Sequence, residues 1–254
     1  MTSTPTRSSG HSTAGTVLRT EFKLFTREPA ALFWIVVFPP LLLGILGLIP
    51  DFREVGEDGV SVISLYVSIM PMVAMLFAAV ATMPTVVAAY REQRVLRRLS
   101  TTPARPRDLL LAQYVLHGAA ALLGSILAIV VAIVAFDVTL PQNMVGFIGV
   151  MLIVLAASLA IGGLVTGLAP TAKIATTLGT VLLFPLMFTA GLWLPVSAMP
   201  DLLGDIVTWT PFGAAALALD ATVQGDWPSL VHVLVVAGWA VVTGALAARY
   251  FRWE

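Results

Sequence analysis

The chain carries three histidines, His11, His117 and His232, and no cysteine. Imidazoles so far apart form no H-x-x-x-H motif, and without thiols neither a thiolate metal site nor a disulfide can form. Ser125 follows His117 on the same predicted helix, whereas a serine protease buried in a bilayer needs nucleophile and base on different helices that meet. No D-x-D pair and no G-x-x-x-x-G-K-[ST] phosphate loop occurs. The residues therefore predict a protein that is not an enzyme, holds no metal and binds no cofactor directly. The dense chemistry is basic instead: "REQRVLRRLSTTPARPR" concentrates Arg91, Arg94, Arg97, Arg98, Arg105 and Arg107, six of the fourteen basic residues.

That cluster sits in a chain of 254 residues that is 58% hydrophobic and 11% charged, with a mean hydropathy of +0.94. Soluble domains carry about a quarter charged residues. The composition is that of an integral membrane protein. Net charge is zero, so no global field draws in nucleic acid, and any electrostatic role depends on where charges are placed.

The charges divide the chain into uncharged runs at 29–50, 59–90, 109–136, 138–172, 174–200 and 227–248, each long enough for the roughly 20 residues a helix needs to cross hydrocarbon. A further run, 206–219, is shorter and contains Trp209, Thr210, Pro211 and Gly213, which suits a re-entrant segment. The expectation is an all-α membrane protein with spans at about 30–50, 61–89, 108–136, 144–169, 174–194 and 229–248 and a re-entrant region at 195–228. Six crossings put thirteen of the fourteen basic residues on one face, with Arg53 alone opposite and nine carboxylates beside it. By the positive-inside rule the basic face, with both termini, is cytoplasmic. The first run, with Pro39-Pro40 at its centre and no small-x-small cleavage site before Asp51, reads as a retained span rather than a signal peptide.

Residues 1–15 are Ser/Thr-rich and are expected to form a disordered tail before a single permease domain over 16–254. In "TVLRTEFKLFTRE", Leu18, Phe22 and Phe25 recur at i, i+4, i+7, predicting an amphipathic helix over 16–28 on the cytoplasmic interface. It serves as an anchor or as a contact for a partner. In the fourth run Ser158/Gly162 and Gly163/Gly167 have small-x-x-x-small spacing, suited to packing within the bundle, with a dimer seam as the alternative. Met70, Met72 and Met75 lie near Pro71; they fit a core or a substrate pathway. His117, just inside the third span, is an interface histidine or a pathway residue. No carboxylate lies within a long run, although proton-driven carriers bury one as their relay.

The arginine segment has more order than topology requires. Val95, Leu96 and Leu99 form an apolar strip, Ser100-Thr101-Thr102-Pro103 stops that helix, and Asp108 opens the next, where a carboxylate suits a helix N-terminus. Helix, stop and fresh helix predict a rigid cytoplasmic elbow over 90–107. This run between the second and third spans resembles the cytoplasmic loop of ABC-2 type transporter permeases, the group of drug, lipid and polysaccharide exporters. The interface helix ending "TREPAALFW" and the stretch "LPVSAMPDLLGDIVTWTPFGAAALALDA" are similar too, and the resemblance extends from about residue 16 to residue 249. It departs at Asp220, where many members are basic.

The resemblance implies a permease subunit in the bacterial plasma (inner) membrane that pairs with a second copy or a homologous permease. It implies two separate cytoplasmic ATPase subunits, which supply ATP and Mg. Arg91, Arg94, Val95, Arg97, Arg98, Leu99, Thr101, Thr102 and Pro103 would form the ATPase-coupling surface, with Leu18, Phe22 and Phe25 of the interface helix beside it. The expected activity is export of a hydrophobic drug, antibiotic or lipid. The rival readings are an ATP-independent carrier, a polysaccharide exporter of the same family, and a scaffold or sensor that moves nothing.

Overall fold

A computed structural model describes residues 11–54, 61–95 and 106–251 of the chain. Among these residues the elements are helices, and six are long and apolar enough to cross a membrane: Pro29–Leu46, Val62–Glu92, Arg107–Phe136, Met144–Leu168, Ala172–Thr189 and Leu230–Tyr250. They are the first to sixth spans below. An interface helix, His11–Phe25, precedes them and begins before the expected residue 16; residues 1–10 of the expected tail lie outside the described chain. The first span ends earlier than expected, because Gly47 caps it and Pro50 opens a one-turn helix, Pro50–Arg53. The fifth stops at Thr189, short of residue 194, where Gly191 turns the chain at φ 87°.

The second span is the axis of the bundle. In its most apolar window 83% of residues are buried, against 17–44% for the other five. A helix apolar on every side belongs inside a bundle, and this one has no charged residue between Gly59 and Tyr90. The third span is one-sided by contrast: Leu111, Val115, Leu123, Ile126, Val130 and Val134 are exposed along one stripe, available to lipid. Met70, Met72 and Met75 are fully buried in the core around the second span; they line none of the cavities described below.

Prolines determine how the central span is received. Proline has no N–H and crowds the carbonyl four residues back. The first span widens into a π segment, Phe33–Val37, just before Pro39-Pro40, and the second into Phe77–Thr82 just before Pro84. The Ile35 carbonyl faces Pro39 and Pro40 at i+4 and i+5 and finds no donor at either. Ala79 fares the same way, since Met83 gives its N–H to Ala78 and Pro84 has none. Val80 has Pro84 at i+4. Thr82 Oγ1 donates to the Phe77 and Ala78 carbonyls at 3.0 and 2.9 Å. Against the other three lie glycines of neighbouring spans: Gly124 of the third on Ile35, Gly162 of the fourth on Ala79, and Gly179 of the fifth on Val80. A methyl group at Gly179 would stand 2.6 Å from that oxygen, and one at Gly124 or Gly162 would overlap its partner. Backbone Cα–H groups can approach such oxygens as weak donors.

Gly162, Gly163 and Gly167 of the fourth span thus each have a partner inside the bundle. Gly162 meets the second span, Gly163 makes room for the Tyr114 hydroxyl of the third, and Gly167 abuts backbone of Tyr250 and Phe251 at the end of the sixth.

Between the fifth and sixth spans, helices Asp201–Thr208 and Pro211–Val223 meet at 97°. Thr210 caps the second helix by accepting the Gly213 N–H at 3.1 Å, and the missing side chain of Gly213 lets that turn close onto the Val207 carbonyl. The far end is pinned to the start of the fourth span, where the Gln142 and Asn143 N–H groups donate to Val223 and Thr222 carbonyls at 3.3 and 3.0 Å. Trp239 of the sixth span donates to the Trp209 carbonyl at 3.0 Å. The pair therefore leaves and rejoins the bundle on the face opposite the arginine segment, as a re-entrant hairpin does.

Gly162→Val forces a branched side chain onto the Ala79 carbonyl and should destabilise the bundle by about 1–3 kcal/mol, whereas Gly149→Val, with open space around it, should not. Tryptophan-monitored melting in detergent checks this; equal midpoints for the two variants would refute the contact.

Candidate functional site

The interface helix lies against the third span, and its inward face is Leu18, Glu21 and Phe25, spaced i, i+3, i+7. Phe25 is buried and Leu18 partly so. Phe22, expected on the same face, is 54% exposed. The correction has a simple cause: rotating the helix to bury Glu21 swings Phe22 outward. Glu21 Oε2 accepts hydrogen bonds from the Tyr90 hydroxyl at 2.7 Å and from Gln113 Nε2 at 2.6 Å. Tyr90 ends the second span and Gln113 lies near the start of the third, so one carboxylate joins three elements. Burial raises the proton affinity of Glu21 above the ordinary carboxylate range; the two hydrogen bonds oppose that shift and nearby Glu28 adds to it.

His117 sits directly beneath. It is fully buried, its Nδ1 is 3.0 Å from the Gln113 carbonyl oxygen, and the Phe25 ring meets it edge-on at 5.0 Å. This places His117 in the joint under the interface helix, and it lines none of the cavities described for the molecule.

The same end of the second span is tied to the other side of the bundle. Arg91 donates to the Thr166 and Ala169 carbonyls at 3.3 and 2.7 Å and lies 5.5 Å from the Phe251 ring centroid. A guanidinium at the C-terminus of the fourth span meets orphan carbonyls and the negative end of the helix dipole. Arg91, grouped by sequence with the outward coupling residues, is thus turned into the bundle. The helix ends at Glu92, and Arg94 reverses the chain in the left-handed region at φ 55°. Arg94 is exposed and Val95 partly buried. Arg97, Arg98, Leu99, Thr101, Thr102 and Pro103 lie outside the described residues. Their two flanks are placed: the segment leaves from Arg94 and returns at the start of the third span.

The arginine segment therefore springs from a base where the interface helix and the second, third, fourth and sixth spans converge. The family model for ABC-2 family transporter protein matches residues 51–249. The chain belongs to this family. No curated protein matches it. The matched region of this ABC-2 transporter takes in the second to sixth spans, the arginine segment and the bent helix pair, and it identifies a multi-pass membrane transport subunit.

Asp220 lies in the second helix of the bent pair. It lines a cavity of about 150 Å³ with Ser64, Thr139, Gln142 and Gln224. Glu21, Tyr90 and Gln113 were not singled out by sequence reasoning. A usable signal was present, since Glu21 is the one acidic residue on the stripe shared by Leu18 and Phe25.

Glu21→Ala leaves the Gln113 amide buried without its acceptor and should cost about 1–3 kcal/mol; Glu21→Gln retains an acceptor oxygen and should cost less. Because the folded protein holds the Glu21 proton more tightly than the unfolded chain, this contribution is fully present below the ordinary value of 4.5 and is lost as pH rises through the raised one. Melting midpoints of the wild type should decline across that window relative to Glu21→Gln. Parallel pH profiles would remove Glu21 from the joint.

Proposed function

We propose that this ABC-2 transporter is the membrane subunit of an ATP-driven exporter of hydrophobic compounds, such as a drug, antibiotic or lipid. ATP and Mg are bound by a separate cytoplasmic ATPase, two copies of which serve a pair of permease subunits in the bacterial plasma membrane. The observation that carries this reading is the convergence beneath the arginine segment. A push delivered to the arginine segment would reach the central span through Arg94 and the turn at Gln93–Arg94. It would reach the third span through the helix beginning at Pro106 and the interface helix through Glu21. Arg94, Arg97 and Arg98 would make charge-assisted contacts with carboxylates or carbonyls of the ATPase, and Val95 and Leu99 an apolar docking face. Thr101, Thr102 and Pro103 would supply the stop that keeps this elbow stiff.

The bilayer-facing spans favour a hydrophobic cargo over a polysaccharide, which requires a wide polar channel. Substrate would pass between paired subunits, since Met70, Met72 and Met75 are packed too closely within one subunit to line a route. An ATP-independent carrier is the rival, and it would need a titratable relay within the spans.

The double variant Arg97→Glu/Arg98→Glu should insert normally, fail to co-purify with the ATPase and lose export. Pull-down with the co-expressed ATPase and dye efflux from inverted vesicles are the readouts. Retained pull-down with normal export would defeat the coupling assignment, and efflux driven by a proton gradient without ATP would favour the carrier.

A further inference from the structure

A cavity of about 440 Å³ opens among the cytoplasmic halves of the second, third, fourth and sixth spans. Small-molecule sites run from about 300 to 1,000 Å³. Its walls are apolar, with Met83, Leu110, Leu159, Ala247 and Phe251 among them. Two polar side chains interrupt them, and Thr166 already donates its hydroxyl to the Gly162 carbonyl at 2.8 Å. The Tyr114 hydroxyl projects to the place that a side chain on Gly163 would occupy, and among the described residues it has no hydrogen-bond partner. A phenol in apolar surroundings is costly unless an acceptor reaches it.

Depth and charge narrow the choice of acceptor. Arg107, Leu110 and Tyr114 follow i, i+3, i+7 spacing and share one helix face. Arg107 is exposed at the cytoplasmic start of the span, and Tyr114 lies roughly 10 Å deeper along the helix axis. With a guanidinium among headgroups, that depth is where the interfacial layer gives way to hydrocarbon. On the bilayer side the rim includes Ala156 and Ala248, both exposed and small, which leaves a sideways opening. On the cytoplasmic side Thr166 and Phe251 line the cavity, and Arg91 lies behind them, beside the Phe251 ring and bonded to the end of the fourth span.

We propose that this cavity binds one acyl chain of an anionic glycerophospholipid of the cytoplasmic leaflet, with an ester carbonyl accepting from the Tyr114 hydroxyl and the phosphate facing Arg107. The lipid is a resident of the fold and not the cargo, so the site stands whether or not the exporter reading does.

Full-length protein, purified in detergent and stripped of lipid, is titrated with phosphatidylglycerol or phosphatidylcholine of identical chains and read by native mass spectrometry. The wild type should retain one phosphatidylglycerol per chain in preference to phosphatidylcholine. Tyr114→Phe should weaken retention about fivefold, as expected for one lost hydrogen bond, and Arg107→Gln should erase the headgroup preference. Ala248→Phe should fill the opening and abolish retention with an unchanged melting midpoint; Ala156→Phe, from the fourth span, reads the same loss if the first variant does not fold. Three results would overturn the site: wild type binding no more lipid than the filled variants, equal binding of both headgroups, or disulfide cross-linking of Ala156→Cys between two chains in lipid-free protein, which would put a second copy over the opening.

Discussion

Three backbone carbonyls facing prolines or a π segment, and met by glycines of neighbouring spans, organise this bundle. Pro39-Pro40 deny the Ile35 oxygen a donor at i+4 and i+5, Pro84 denies the Val80 oxygen its i+4 partner, and Ala79 is bypassed because Met83 gives its N–H to Ala78 and Pro84 follows at i+5. In hydrocarbon an unsatisfied backbone group costs several kcal/mol, and water is absent to offset it. The oxygens lean outward from the first and second spans, where only a residue without a side chain can lie against them. Gly124, Gly162 and Gly179 meet that demand from three different spans. The third, fourth and fifth spans are thereby placed in register with the π segments of the first and second, and the second becomes the buried axis. Apolar packing alone would not choose that register, since lipid tails are as apolar as the helices they surround.

The same axis ends in the cytoplasmic joint. A buried carboxylate on the interface helix and a guanidinium on the second span draw opposite sides of the bundle to one place. Each is held by groups of other elements: Tyr90 and Gln113 donate to Glu21, and the carbonyl end of the fourth span accepts from Arg91. Such charge-assisted bonds in a low-dielectric setting resist being pulled apart singly. Displacement at the arginine segment would therefore move several spans together.

The outer face uses a different device. The bent helix pair enters and returns on one side because Thr210 restarts the helix at a right angle and Gly213 permits the close turn. Its polar ends are spent on the Gln142–Asn143 backbone and on Trp239. Irregular backbone at membrane depth is tolerated when protein groups satisfy it in this way, which is why the short apolar run at 206–219 forms a hairpin and not a seventh crossing.

Much of this architecture was legible in the chain. Uncharged run length located six spans, because crossing hydrocarbon imposes a minimum length that no tertiary contact can alter. Trp209, Thr210, Pro211 and Gly213 announced the break in the bent pair. Span ends were less legible, since Gly47 and Gly191 act through local geometry that an apolar count ignores. The interface helix was visible as a periodicity, yet its rotation was not: Leu18, Phe22 and Phe25 made the better apolar stripe, and only Tyr90 and Gln113, distant in sequence, draw Glu21 inward. Arg91 among six arginines carried no mark of turning toward the fourth span. Sequence by itself determined which segments are long and apolar enough to cross the membrane, because that depends on composition per unit length. Tertiary structure alone decided which polar group faces which, because a buried charge is stable only beside partners that other helices bring to it.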